Sequence, residues 1–149
     1  MSPENDKSKG LDGWVETCQG ALQGRIPANV QALYLYGSVL GPLFRPDSDL
    51  DVAVLDAAGE PLSRKEQARL MDLLERATGR GVDLRLLRDL TLSHQSEILE
   101  QGQRIWVGDA PEADRYRREI ANARQRQPRP SDEEWAAVLH RLATAGGVR

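Results

Sequence analysis

Residues 34–54 read Tyr34-Leu-Tyr-Gly-Ser-Val-Leu-Gly-Pro-Leu-Phe-Arg-Pro-Asp-Ser-Asp-Leu-Asp-Val-Ala-Val54. An apolar, strand-like run ends at Tyr36 and delivers Gly37-Ser38. Ten residues later Asp49-Leu50-Asp51 opens a second strand-like run that ends at Leu55. The pattern is GS-x10-DxD, with one strand ahead of the GS and another around the DxD.

Each part has a chemical use. Gly37 lacks a Cβ, so backbone can come close to a bulky anion. Ser38 brings a hydroxyl and an N–H, expected at the N-terminus of a short helix, where free N–H groups and the dipole favour phosphate. Asp49 and Asp51 stand two apart on a strand, so both carboxylates point to the same face. Paired hard oxygen ligands suit Mg²⁺, which takes one or two carboxylates together with substrate phosphate oxygens. A phosphate cradle facing such a pair is what nucleotidyl transfer from a nucleoside triphosphate needs.

On these residues the chain resembles the polymerase-β-type nucleotidyltransferase superfamily. More closely it resembles its minimal nucleotidyltransferase (MNT) members, the MntA-type antitoxins of MNT–HEPN toxin–antitoxin pairs. The resemblance spans about residues 30–108 and is weak in the first 25 residues and after Pro111. Arg45-Pro-Asp-Ser-Asp-Leu-Asp51 matches the family pattern well, whereas Val39-Leu-Gly-Pro-Leu-Phe44 lacks the basic residue that many minimal relatives carry there. The fold implied is α+β: a small mixed sheet of about four strands flanked by helices, with a helical C-terminal tail.

Composition sets the outer bounds. At 149 residues, 40% apolar and 29% charged, the chain can bury a core without staples. Cys18 is the single cysteine, so no internal disulfide forms, which fits a reducing, cytoplasmic setting. No run of about 18 apolar residues suggests a membrane span. A net charge of −3 gives no reason to expect direct nucleic-acid binding.

Taken in order, residues 1–10 read as a disordered lead, 11–110 as the nucleotidyltransferase domain and 111–149 as a helical extension. Leu11, Trp14, Val15, Cys18 and Leu22 follow helical spacing and predict a helix over 11–23, stopped by Gly24 and Pro27. Cys18 reads as a small core side chain. Val30–Tyr36 is a strand, and Ser38 to about Phe44 a short helix limited by Gly41-Pro42. Leu50, Val52 and Val54 share one strand face, the core; Asp49, Asp51 and Ala53 share the other, the site. Ser63 and Glu66 form a capping-box pattern ahead of a helix over 63–78 with the stripe Leu70, Met71, Leu74 and Ala77; Gly79 and Gly81 end it. Residues 81–87 are a third strand carrying Asp83. Residues 93–101 form a helix, Arg104–Val107 a last strand and 112–126 a charged helix whose arginines read as a solvated face. Gln127–Pro130 is a linker. Ser131 and Glu134 suggest a second capping box, and Trp135, Val138, Leu139 and Leu142 a stripe that packs on the domain or on another chain. Gly146–Arg149 should fray. His94 and His140 have no metal-type spacing and read as surface or interface residues.

The resemblance implies the chemistry. AMP, or another nucleoside monophosphate, passes from ATP or its counterpart to a hydroxyl. Asp49, Asp51 and Asp83 are the implied catalytic and metal-binding residues for two Mg²⁺ ions, Asp83 completing the ligand set as a two-metal displacement commonly requires. Gly37, Ser38, Arg45 and Ser48 are the implied nucleotide-binding residues, and Arg85 is a further cation that could face the phosphates. The implied acceptor is a tyrosine on a HEPN-type RNase toxin, held as a hetero-oligomer. Two alternatives stand beside it: transfer to a small molecule such as an antibiotic, and a non-catalytic antitoxin that acts by occlusion.

Overall fold

The structure, a computed structural model, describes residues 10–127 and 132–146. The first helix, α1 (Leu11–Leu22), leads into strand β1 (Val30–Tyr36) and a single 3-10 turn, Gly37–Leu40. Strand β2 (Leu50–Asp56), helix α2 (Arg64–Thr78) and strand β3 (Val82–Leu86) follow, then a 3-10 turn at Leu87–Asp89 and helix α3 (Leu92–Gln101). Strand β4 (Gln103–Val107) and helices α4 (Ala110–Arg126) and α5 (Asp132–Gly146) complete the chain. The sheet order is β3-β2-β1-β4, with β1 antiparallel to both β2 and β4, and β2 parallel to β3. This is the expected α+β fold with a mixed four-stranded sheet.

Local chemistry accounts for the elements. Trp14, Cys18 and Leu22 fall on one stripe of α1 and are buried. Gly24, at φ +73°, turns the chain beyond it. The Ser63–Glu66 capping box is made in both directions, and Gly79 closes α2 in the left-handed conformation that favours glycine. The helix expected over 38–44 is only the 3-10 turn 37–40. Gly41 adopts an extended conformation, as a residue before proline must, and Pro42 cannot continue a helix.

Both sheet faces are covered. One face packs Leu33, Leu35, Leu50, Val52 and Val54 against Trp14, Cys18 and Leu22 of α1 and Leu70 and Leu74 of α2. Each such side chain stabilises the fold by about 1.5–3 kcal/mol on burial. The other face packs Ala32, Tyr34, Tyr36, Ala53 and Leu55 against Ile98 and Leu99 of α3 and Ala113 of α4. The expectation that this second face is wholly site is therefore corrected. Only its end, where Asp51 lies, stays open, because α3 and α4 cover Ala53 and Leu55.

The outer parts of the chain divide similarly. Asp109 caps α4, accepting from the Glu112 N–H at 3.1 Å. Leu139 and Leu142 on α5 are 60% and 65% exposed, so they do not pack on the domain. The lead before Gly10, the Pro128–Pro130 part of the linker, the Ser131/Glu134 capping pair, the Trp135 side chain and residues 147–149 lie outside the described residues. Among the described residues no helix is long and apolar enough to cross a membrane.

Candidate functional site

The site forms where three strand ends meet. β1 ends at Tyr36, which pairs in register with Asp51 of β2, and Asp51 pairs in turn with Asp83 of the parallel strand β3. Two carboxylates thus sit at the same level on neighbouring strands, whose backbones run roughly 4.8 Å apart. Asp49 lies one residue ahead of β2 and is exposed.

Glycines are shaped to these acids. Gly37 takes φ +77°, and a Cβ there would stand 2.3 Å from Asp51 Oδ2. A Cβ on Gly81 would stand 2.5 Å from Asp49 Oδ1. The Leu50 N–H donates to the Gly81 carbonyl at 2.9 Å, which fixes Asp49 against the start of β3. Sequence reasoning took Gly81 for a helix stop, but Gly79 alone closes α2; the demand on Gly81 is the approach of Asp49.

Asp51 and Asp83, but not Asp49, line a cleft of about 660 Å³ that Tyr36, Gly37, Arg85 and His94 also border. Burial first, then the like charges of Asp83 and Asp49, push the Asp51 carboxyl above its ordinary range; Arg85 and His94 pull it partly back. Burial first, then the charges of Asp51 and Asp83, raise the Tyr36 hydroxyl, so at neutral pH it remains a protonated donor. Arg85 Nε donates to Asp83 Oδ2 at 3.4 Å, with both side chains about half exposed. Such a pair contributes little to stability, and its guanidinium can swing to another anion at small cost. His94, expected at the surface or an interface, stands edge-on to Tyr36 at 5.7 Å between centroids and lines the cleft. A lone histidine on a short helix gave no signal of this.

The other expected residues do not line this cleft, and Arg45 borders a separate pocket beside Trp14 and Phe44. Ser38 is half-buried in the 3-10 turn, where its carbonyl accepts from the Gly41 N–H at 3.1 Å. Arg45 and Ser48 belong to the turn ahead of Asp49. The Ser48 Oγ accepts from the Arg45 N–H at 2.9 Å, and the Ser48 N–H donates to the Arg45 carbonyl at 3.0 Å. A four-residue 3-10 turn has no macrodipole of consequence, so anion affinity at Gly37-Ser38 would come from individual N–H groups and not from a helix end.

The donor set fits a divalent cation in a particular way. Among the described residues no three His, Cys, Asp or Glu side chains converge on one ion. Two adjacent carboxylates under mutual repulsion do suit an ion that completes its shell with substrate oxygens.

The fold is shared with known proteins. A crystal structure of a toxin–antitoxin with AMP-PNP superimposes at a TM-score of 0.60, with 23% identity over 90% of this chain and 97% of that one. An MntA–HepT toxin–antitoxin structure gives 0.56, with 22% identity over 93% and 98%. The tri-AMPylated HEPN toxin of Shewanella oneidensis in complex with an MNT antitoxin gives 0.55, with 22% identity over 91% and 95%. No curated protein matches the sequence. The family model described as polymerase beta, nucleotidyltransferase matches residues 16–110. That range starts inside α1, earlier than the sequence resemblance reached, in keeping with a helix whose Trp14, Cys18 and Leu22 belong to the core. It contains the GS turn, both DxD acids and Asp83, and the chain belongs to the polymerase beta nucleotidyltransferase family.

Proposed function

We propose that the protein transfers AMP from ATP to a hydroxyl of a HEPN-type toxin, a tyrosine by family resemblance, and acts as its antitoxin. The observation that carries this reading is the pairing of Asp51 with Asp83 in register, with Gly37 closed against Asp51, inside a nucleotidyltransferase domain. The structural neighbours that include HEPN toxins, one of them tri-AMPylated, support the choice of acceptor.

Asp49, Asp51 and Asp83 would hold two Mg²⁺ ions. When bound, these would neutralise triphosphate charge and lower the acceptor hydroxyl's pKa. Gly37 and Ser38 would cradle the β- and γ-phosphates with backbone N–H groups, the missing Cβ of Gly37 leaving room for the Asp51 carboxylate beside them. Ser48 and Arg45 would shape the turn that carries Asp49 and border the nucleotide. Arg85 would leave Asp83 for a phosphate oxygen, supplying the positive charge that Val39–Phe44 lacks. The acceptor oxygen would attack the α-phosphorus in line, with Asp83 taking its proton. The bond from the α-phosphorus to the bridging oxygen would break, and pyrophosphate would leave. Residues 11–110 would form the catalytic unit and 111–149 a helical extension.

The test is intact-protein mass spectrometry with Mg²⁺ and each nucleoside triphosphate, with and without a co-encoded HEPN-type partner. An AMP-sized gain on the partner, absent with an Asp49→Ala, Asp51→Ala variant, is expected. A stable complex that shows no gain would overturn transfer and leave occlusion as the mode of neutralisation.

A further inference from the structure

Outside the cleft, the most heavily engaged buried cation is Arg80, which follows α2 and precedes Gly81. It is 9% exposed. Its guanidinium lies 4.8 Å from the centroid of the Trp14 ring and 4.3 Å from that of Phe44, and the two rings meet edge-on at 6.0 Å. Its Nη1 donates to the carbonyls of Arg45 at 2.7 Å, Pro46 at 3.2 Å and Ser48 at 3.0 Å. Those three carbonyls belong to the turn that ends at Asp49. On the other side of the same turn, Gly81 accepts from Leu50 and abuts the Asp49 carboxylate.

We propose that Arg80 is a positioning residue: it clasps the 45–48 turn and thereby sets Asp49 where it can share a divalent cation with Asp51. The inference rests on the metal-binding role assigned to Asp49 above. Three features carry it. The turn is exposed at Arg45, Pro46 and Asp47, so it has little burial of its own to hold it. The planar Arg80 guanidinium lies over the Trp14 and Phe44 rings, which seats its Nη1 against three carbonyls of the turn; a lysine has no planar group to be seated in this way. The clasp is also continuous with Asp49 itself, since Arg80 and Gly81 are neighbours in the chain. Outer partners of metal ligands generally matter for affinity nearly as much as the ligands do.

The test uses the full chain with Mn²⁺ as the probe, and three variants: Arg80→Met, Arg80→Lys and, as a comparator, Arg88→Met, whose arginine pairs with Asp56 instead. Amide hydrogen exchange at Ser48 and Leu50 reads the clasp directly and needs no metal. Both Arg80 variants are expected to speed exchange at these two amides relative to β1 and to weaken Mn²⁺ binding by about tenfold or more. In an Asp49→Asn background, Arg80→Met should weaken Mn²⁺ no further. The comparator should lower overall stability without changing Mn²⁺ affinity. Unchanged exchange at Ser48 and Leu50 in folded Arg80→Met would overturn the clasp. Full rescue of Mn²⁺ affinity by Arg80→Lys would overturn positioning in favour of simple charge. If the unsubstituted protein binds no Mn²⁺ through Asp49 and Asp51, the metal role of Asp49 fails, and positioning for it fails as well. The exchange data then still report whether Arg80 holds the turn, so the two failures are told apart.

Discussion

Asp51 and Asp83 stand in register on adjacent parallel strands, two acids at one level of the sheet with Asp49 beside them. Like charges directly opposed across strands destabilise by about 0.2–1 kcal/mol, and here burial of Asp51 adds to the effect. A carboxyl whose pKa is raised on folding costs nothing below its unfolded pKa, where both states are protonated. The cost grows as pH rises through the unfolded and then the folded value. Asp51→Asn should therefore raise the melting temperature at neutral pH in EDTA, by roughly 1–4 °C, and the gain should vanish in acid below the ordinary carboxylate range. Added Mg²⁺ should stabilise the unsubstituted protein more than the variant, since only ligands that favour the folded state raise stability. Thermal melts across pH, with EDTA or Mg²⁺, check both halves.

Gly37 and Gly59 share a left-handed backbone, at φ +77° and +83°, but differ in surroundings. A Cβ on Gly37 would collide with Asp51 Oδ2 at 2.3 Å, whereas one on Gly59 would meet nothing within 4 Å. Alanine at either position should cost about 1–2 kcal/mol of backbone strain. Only Gly37→Ala should also displace a carboxylate, abolishing metal-dependent nucleotide binding. Calorimetric titration with ATP and Mg²⁺, alongside melts, separates strain from collision. Equal binding by the two variants would refute the cradle.

Much of this was legible in residue order. Apolar strand-like runs set β1 and β2, the capping box set the start of α2, and the GS-x10-DxD spacing located Gly37, Asp49 and Asp51. What escaped notice was non-local. Gly81 is constrained by Asp49, on another strand. His94 reaches the cleft because Ile98 and Leu99 anchor α3 on the sheet, which no local pattern states. The cover over Ala53 and Leu55 did have a signal: Val52-Ala-Val-Leu55 is a continuous apolar run, as expected of a strand buried on both faces. The presence of two acids on that face outweighed it.

The apolar stripe of α5 is a different case, since Leu139 and Leu142 are mostly exposed. Replacing both with serine should change the stability of the isolated chain by no more than about 0.5 kcal/mol, as for ordinary surface sites. A urea midpoint that falls well beyond this would mean the stripe packs on the domain after all.

The end of β2 has its own lock, built on Asp56 and Arg88. Asp56 is 2% exposed; its Oδ2 accepts from the Leu62 N–H at 2.8 Å, and its Oδ1 lies 3.4 Å from Arg88 Nε. Arg88 Nε also donates to the Asp56 carbonyl at 3.0 Å, and its guanidinium covers the Tyr116 ring at 4.6 Å. The Tyr116 hydroxyl donates to Gln95, whose Nε2 donates to the Leu90 carbonyl at 2.9 Å. The chain of contacts joins β2, α3 and α4. Removing one partner of a buried pair costs about 3–5 kcal/mol, because a carboxylate is left uncompensated. Arg88 is itself 32% exposed, so water would solvate part of the vacated space and Arg88→Met should fall near the lower end, about 3 kcal/mol. The pair Arg76–Asp72, 80% and 59% exposed, should by contrast lose less than about 1 kcal/mol in Arg76→Met. If the uncompensated charge is the cause, adding Asp56→Asn to Arg88→Met should recover part of the loss, measurable as a rise in the urea midpoint over the single variant. A further fall would instead place the stabilisation in the Arg88–Tyr116 packing.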